Sequence, residues 1–284
     1  MKVLITGAAG FTGRHLSALL SKEAGNQLVL IDRKASQGIL SCDLAKPEEV
    51  EGILKDQAPD QIYHLAGTFT NDYGLDHASN VESSKNLLDA VVKLKLNPKI
   101  LLVGSAAEYG DVPEAENPVK ENRPLRPVSV YGLTKAMQTQ LMLFYAATTT
   151  LRLVMARTFN LMGKGVSDRL FVGKIYQQID ELKKNKLQKI TTGFLGAERD
   201  YLPVEEAVRK YKVLMEKGAP GEVYNVGSGK GIKMSSLLYK ILQENGLSMD
   251  VVLERAVEAT PKHNVMRMVA DTGKLTALES GKKP

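Results

Sequence analysis

Thr6-Gly7-Ala8-Ala9-Gly10-Phe11-Thr12-Gly13 is the stretch on which the reading of this chain turns. It follows the apolar run Val3-Leu4-Ile5 and opens a helical pattern from about Phe11 to Lys22. With 24 glycines in 284 residues, three glycines at this spacing occur by chance roughly 0.17 times per chain, so spacing alone is only suggestive. Context adds the weight. Glycine allows a tight turn and lets the backbone approach a ligand with no Cβ in the way. The helix that follows offers free N–H groups and a positive dipole end to a pyrophosphate. Gly7, Gly10, Phe11, Thr12 and Gly13 are therefore candidate dinucleotide contacts; a packed strand-to-helix turn is the plainer alternative.

Asp32 ends the second apolar run, Leu28-Val29-Leu30-Ile31. A carboxylate there accepts hydrogen bonds from an adenosine ribose and repels a 2′-phosphate, which favours NAD(H). Arg33 beside it could clamp such a phosphate, so NADP(H) stays open. The plain alternative for Asp32 is a helix cap or a solvated loop end. Asp43 and Leu44, after a further short apolar stretch, are placed beside the adenine.

Outward from this loop the first half alternates. Apolar runs at Ile62–Leu65, Ile100–Val103 and Leu153–Ala156 read as strands, and helical patterns begin at Pro47, Asn80 and about Tyr131. Strands that are apolar throughout are buried on both faces, as in a parallel sheet. The expected fold is α/β, a doubly wound parallel (Rossmann) sheet with right-handed crossovers and a smaller, interleaved substrate-binding domain. Residues 1–157 and 187–227 are assigned to the dinucleotide domain, and 158–186 and 228–284 to the substrate domain. In the second half, 160–168 reads as a loop, with helices near 169–184, 204–217 and 234–244 and strands near 189–192 and 223–226.

Composition narrows the class. A chain of 284 residues buries about three quarters of its unfolded surface and needs no staples. The single cysteine, Cys42, cannot close an intramolecular disulfide, which fits a reducing compartment, and no His/Cys cluster suggests a metal. No apolar run reaches the roughly 18 residues of a membrane span, and the N-terminal residues do not read as a secretion signal. The expected address is the cytoplasm. The net charge of +6 suits an anionic small substrate, but most of it reads as solvated faces, and no nucleic-acid partner is expected.

Tyr131-Gly132-Leu133-Thr134-Lys135 places a tyrosine and a lysine at i and i+4, on one helical face. With 10 tyrosines and 27 lysines, about one such pair is expected by chance. Its place gives it meaning. It follows Ser105, just past the fourth strand, where a parallel sheet puts its ligand crevice. Hydride transfer to a carbonyl needs a proton donor. A phenol of ordinary pKa about 10 becomes usable when a nearby ammonium favours its phenolate, and Ser105 would hold the substrate oxygen. Taken singly, each residue has a plain structural role; a dinucleotide-binding protein without catalysis would have no use for the proton donor.

The motifs TGAAGFTG (6–13), HLAG (64–67), GSAAEYG (104–110), YGLTK (131–135), RTFN (157–160), RDYLPV (199–204) and YNVGSG (224–229) run in order along the chain. Together they resemble the extended short-chain dehydrogenase/reductases, the NAD-dependent epimerase/dehydratase family of nucleotide-sugar enzymes. Within it, NPVKENRPLRPVSVYGLTK and RTFNLMGKGVSD are most similar to GDP-6-deoxy-D-mannose (GDP-rhamnose) reductases, which are 4-ketoreductases. The resemblance implies Ser105, Tyr131 and Lys135 as catalytic residues and Leu65, Ala66, Gly67, Tyr131 and Lys135 as further cofactor contacts. It also implies Ser105, Asn160 and Arg199 as substrate contacts, and a homodimer. Lys135 would bind the nicotinamide ribose and lower the tyrosine pKa. Arg199 suits a diphosphate because its planar fork pairs with phosphate oxygens; Asn80 either orients the site or starts a helix.

Two departures stand out. Where 4,6-dehydratases carry an elimination acid this chain has Ala107, preceded by Ala106, and Glu108 comes one residue later, on the other face of an extended segment. Dehydration is therefore disfavoured. The nucleotide-clamping Arg-Pro element of relatives is replaced by Thr260-Pro261-Lys262-His263, with Lys262 as the stand-in, which leaves the base open. The expected activity is NAD(P)H-dependent reduction of a nucleotide-linked 4-keto-6-deoxy sugar. A nucleotide-sugar 4-epimerase with tightly held NAD is the alternative, ahead of a 4,6-dehydratase or a non-catalytic dinucleotide sensor.

Overall fold

A computed structural model describes residues 1–255 and 265–281. In chain order its first half runs β1 (Lys2–Thr6), α1 (Phe11–Leu20), β2 (Gln27–Asp32), β3 (Leu40–Ser41), α2 (Pro47–Gln57), β4 (Gln61–His64), α3 (Tyr73–His77), α4 (Ser83–Lys93) and β5 (Lys99–Ser105). There follow α5 (Val130–Thr148), β6 (Arg152–Thr158), β7 (Asn160–Met162), α6 (Phe171–Lys183), β8 (Ile190–Thr192), β9 (Glu198–Pro203), α7 (Val204–Lys217) and β10 (Glu222–Val226). The last elements are β11 (Gly231–Lys233), α8 (Met234–Glu244), β12 (Val252–Glu254), β13 (Arg267–Met268) and α9 (Gly273–Glu279).

Seven strands form one sheet in the order β10-β6-β5-β4-β1-β2-β3, and every pair in it is parallel. The apolar runs are continuous because both faces are covered. In β1, Val3 and Ile5 pack with α1, α7 and Leu275 of α9, while Leu4 packs on the other side with α2, α4 and α5. Each such side chain, fully withdrawn from water, contributes roughly 1.5–3 kcal/mol. From β1 the chain steps outward to β2 and β3, then returns to β4 on the other side. The crevice between β1 and β4 is thus the switch point at which open α/β sheets take their ligands.

The second half departs from expectation in detail. Residues 160–162, read as a loop, form β7, which pairs with Tyr201–Pro203 of β9. The segment from 187 does not join the large sheet at once. β8 pairs with β12, and β9 gathers β7, β11 and β13 in a second sheet. Only from α7 onward does the chain return to pack on and pair with the large sheet. β8 and β9 are short and carry no continuous apolar run; their partners lie far along the chain, so register could not be read locally. α6 and α8 close this smaller part around Val172, Ile175, Ile190, Leu238 and Ile241. Among the described residues no helix is long and apolar enough to cross a membrane.

Candidate active site

The glycine loop is built by what a Cβ would meet. Gly7 has φ +67°, and a Cβ there would lie 2.9 Å from the Ala66 amide nitrogen, so the loops after β1 and β4 touch at this residue. A Cβ on Gly13 would collide with the Gly7 carbonyl oxygen, which lets α1 start directly against the turn. Gly10 caps α1 in extended conformation with no side-chain partner, leaving the first-turn amides facing the crevice. This is a cradle that fits a pyrophosphate.

Asp32 stands at the end of β2. Its Oδ2 accepts from the Ala9 amide at 3.0 Å and its Oδ1 from the Arg33 amide at 2.8 Å. The carboxylate therefore braces the glycine loop. Asp43 turns back on its own loop: its Oδ1 accepts from Ala45 N at 3.1 Å, and its amide donates to Glu49 at 2.7 Å. Leu44 is buried in the core beneath α2.

A cavity of about 720 Å³ opens at the C-terminal ends of β1, β4, β5 and β6. Phe11, Thr12, Leu65, Gly67, Ser105, Tyr131, Lys135, Asn160 and Arg199 all line it, so residues 11 to 199 in sequence share one wall-to-wall space. Gly7, Gly10, Gly13, Asp32, Arg33, Asp43, Leu44 and Ala66 lie outside its lining. Lys262 lies outside the described residues. Lys135 and Arg199 are the charged residues among the described lining, and no carboxylate is there.

Ser105 ends β5 and caps a 3₁₀ turn, its Oγ accepting from Ala107 N at 3.2 Å. Ser129 caps α5 by accepting from Gly132 N at 3.0 Å, which sets Tyr131 in the first turn. Burial pushes the Tyr131 phenol up to about 12, while the Ser105 hydroxyl beside it pulls the other way. At neutral pH the phenol keeps its proton. Lys135 is buried. Burial pulls its ammonium down to about 8, against the opposing pull of Glu108 and Asp76. Its Nζ donates to Val103 O at 2.9 Å and Gln138 Oε1 at 3.0 Å. Four residues after Tyr131 on α5, the lysine is thus tied to the end of β5 while it lines the same cavity as the phenol.

Ala106 and Ala107 both line the cavity, and Glu108 does not. Glu108 turns away because the chain is a 3₁₀ turn at this point, not an extended segment. Fully buried, it accepts from Ser105 N at 2.7 Å, Thr139 Oγ1 at 2.7 Å and Arg157 Nε at 2.9 Å. Arg157 continues to the Tyr109 hydroxyl at 2.9 Å, which donates to Asn225 Oδ1 at 2.7 Å. This buried chain escaped the sequence reading, because nothing in the spacing of 108, 139 and 157 announces a contact.

Asn80 does not start a helix. It sits in a single π-turn between α3 and α4, and its amide takes Thr68 N and O and Thr134 Oγ1, each at 2.9–3.0 Å. One turn earlier, buried Asp76 accepts from Thr68 Oγ1, Thr70 N, Thr70 Oγ1 and Asn71 N at 2.8–3.0 Å. These bonds hold its carboxyl below the usual range against the burial that raises it. Between the pinned residues Phe69 presents its ring edge to Tyr131, centroids 5.8 Å apart. The i, i+4 spacing of Asp76 and Asn80 was the available signal.

Asn160 lies on β7 and donates to Asp200 O at 3.0 Å. Arg199 donates to the Val265 carbonyl at 2.6 Å and the Glu198 carbonyl at 2.9 Å, so its fork is partly held by the backbone that borders the cavity. Burial lowers its pKa from the ordinary value.

Residues 3–227 match the profile of the NAD dependent epimerase/dehydratase family. The chain belongs to that family. A curated relative, the GDP-6-deoxy-D-mannose reductase of Pseudomonas aeruginosa, is 29% identical over 261 residues, 90% of this chain and 84% of that one. The solved structure of RMD from Pseudomonas aeruginosa complexed with NADPH superposes with a TM-score of 0.87 at 25% identity, covering 100% of this chain and 93% of that one. The UDP-glucose 4-epimerase of Thermus thermophilus, solved in complex with NAD, gives a TM-score of 0.85, also at 25% identity, over 100% and 94%. An NAD-dependent family, a glycine cradle at a switch point and a cavity beside it agree on an enzyme that uses a nicotinamide dinucleotide.

Proposed function

We propose that this enzyme reduces a nucleotide-linked 4-keto-6-deoxy sugar, of the GDP-4-keto-6-deoxymannose type, with NADH or NADPH. The choice of reduction is carried by the likeness to the Pseudomonas aeruginosa reductase across nine tenths of the chain. The cavity supports it chemically. Ala106 and Ala107 leave no acid where elimination needs one, and with Phe159 and Val128 they offer an apolar surface suited to a sugar methyl.

The cofactor would lie with its pyrophosphate on the first turn of α1 and its adenosine ribose at Asp32 and Arg33. Asp43 and Leu44 would lie near the base, and the nicotinamide between Leu65–Gly67 and Lys135. When bound in reduced form it supplies the hydride. Tyr131 keeps its proton at neutral pH and gives it to the sugar oxygen. Ser105, fixed at the end of β5, holds that oxygen by its hydroxyl. Lys135 directs an N–H toward the ribose. Asn160 and Arg199, with Lys262, are the proposed contacts of the sugar-nucleotide diphosphate, in a cavity whose described charged lining is all positive. Phe69, its ring centroid 5.8 Å from that of Tyr131, would screen one side of the phenol. Asp32 favours NAD(H), and Arg33 keeps NADP(H) within reach. The working form is a cytoplasmic homodimer. Exposed Leu133 and Phe144 on α5 suit packing against a second copy, which sedimentation would test.

The deciding experiment mixes purified protein, a GDP- or dTDP-linked 4-keto-6-deoxyhexose and NADH or NADPH, and follows nicotinamide absorbance. Stoichiometric consumption with a 6-deoxy-sugar product is expected. A protein that consumes no cofactor on a panel of such sugars, yet interconverts UDP-glucose and UDP-galactose unaided, is an epimerase.

A further inference from the structure

Gln138 lies on α5 three residues after Lys135, and both side chains are buried. Its Oε1 accepts from Lys135 Nζ at 3.0 Å and its Nε2 donates to Ser84 Oγ at 2.8 Å. A serine hydroxyl has one hydrogen, and that of Ser84 goes to the Asn80 carbonyl at 2.8 Å. Ser84 can therefore only accept from Gln138, and likewise from His64 Nε2 at 2.9 Å. His64 then carries its hydrogen on Nε2, so its Nδ1 accepts from Thr6 Oγ1 at 3.0 Å. Thr6 Oγ1 in turn accepts from Ala66 N at 3.1 Å. Because Ser84 can only accept, the Gln138 amide has one orientation: nitrogen to Ser84, oxygen to the lysine.

We propose that Gln138 is a positioning residue for Lys135, a neutral acceptor that, with the Val103 carbonyl, fixes the rearward side of the amine so that its remaining position faces the cavity. An ammonium gives two hydrogens to these acceptors and presents the third. A neutral amine keeps both bonds and presents its lone pair in the same place. The same point can thus donate or accept, as proton transfer beside Tyr131 requires. A Cβ on Gly67 would lie 3.1 Å from this nitrogen, so the side facing the cofactor crevice is kept clear. A carboxylate at 138 would instead favour the charged form alone. The other titratable groups around Lys135 are Glu108 from the turn after β5, Asp76 from α3, Tyr131 from α5 and His64 from β4. None of them has a hydrogen bond to Nζ among the described contacts, and burial keeps His64 neutral, its pKa lowered to about 3.

This role rests on the reading of Lys135 given above, and the test separates the two. Wild type, Gln138→Glu and Gln138→Leu are labelled with [¹³Cε]lysine and titrated by NMR, with the Lys135 resonance assigned by its loss in Lys135→Met. Gln138→Glu should move the Lys135 midpoint upward by about one pH unit or more, and Gln138→Leu should move it downward. The basic limb of the kcat/KM profile should follow in the same directions, with KM for the sugar within about twofold, since a 138 side chain behind the lysine does not reach the substrate. An unmoved Lys135 midpoint in a folded Gln138→Glu protein would overturn the proposal, as would a Gln138→Leu enzyme with a wild-type basic limb. Should Gln138→Leu fail to fold, the nearly isosteric Gln138→Glu carries the test. A wild type that reduces no 4-keto sugar would sink the function reading, and the NMR midpoints alone would then decide the role of Gln138.

Discussion

At the scale of single residues the claims are sharpest at Tyr131, Asp32 and Lys135. Tyr131→Phe removes only a hydroxyl, so the fold should hold while turnover falls by about 10²–10⁴, the usual contribution of a general acid. Steady-state rates within a few-fold of wild type would remove Tyr131 from the mechanism. Asp32 has two tasks, because Ala9 N and Arg33 N both bond to its carboxylate. Asp32→Ala should therefore weaken both cofactors, and NADH by the larger factor, since a 2′-phosphate no longer meets a negative charge. Fluorescence titration of both cofactors gives the ratio, and an unchanged ratio would place Asp32 away from the ribose. Lys135 carries a stability signature. Its folded-state pKa, near 8, lies below the ordinary 10.5, so between those values the unfolded chain binds more protons than the folded one. Stability contributed by this site therefore rises with pH across that window. Denaturant melts of wild type against Lys135→Met from pH 7 to 10 should show the variant's advantage shrinking as pH rises.

At the scale of elements, the buried pair Glu108–Arg157 joins the end of β5, α5 and β6. Removing one partner strands the other charge away from water, and such breaks cost about 3–5 kcal/mol. Glu108→Val should lose stability on that order by urea unfolding, and a second change, Arg157→Met, should recover much of it. If the single variant melts like wild type, the pair is not holding these elements. His64 ties β4 to β1 and α4. Burial keeps it neutral, with a folded-state pKa near 3 against an ordinary 6.5. The unfolded chain takes up the extra proton, so stability falls as pH drops from about 6.5 toward 3, by about 1 kcal/mol per pH unit. His64→Gln should flatten that slope. The elements themselves were largely legible: strands apolar on both faces, a glycine turn before α1, and helical periodicity from about Tyr131 for α5. The short strands β3, β7, β9 and β11 were not, because each is defined by a distant partner and not by its own pattern. The residues around the cavity were legible where a motif spaced them, as with Ser105, Tyr131 and Lys135. Glu108, Asp76 and Gln138 were not, since their partners come from other elements.

At the scale of the whole molecule, the proposed cofactor and sugar-nucleotide sites share one cavity, lined by residues of the seven-stranded sheet and of the sheet around β9. A ligand that binds only the folded chain raises its melting temperature with concentration, so each proposed ligand should do so. At a hundred times Kd the gain is about 2.7 kcal/mol. A thermal-shift series with NADH, NADPH and a panel of nucleotide sugars should show both classes acting; a cofactor without effect at millimolar levels would contradict the glycine-loop assignment. The pairing of β7 with β9 has one more outcome. The chain leaves the large sheet after β6, returns at α7, leaves again after β10 and returns for α9. The two halves are woven, and neither is a contiguous stretch that a gene could lose or donate as a cassette. A protease nick between 184 and 189 should leave two fragments that elute together on a sizing column, and either fragment expressed alone should lack a finished core.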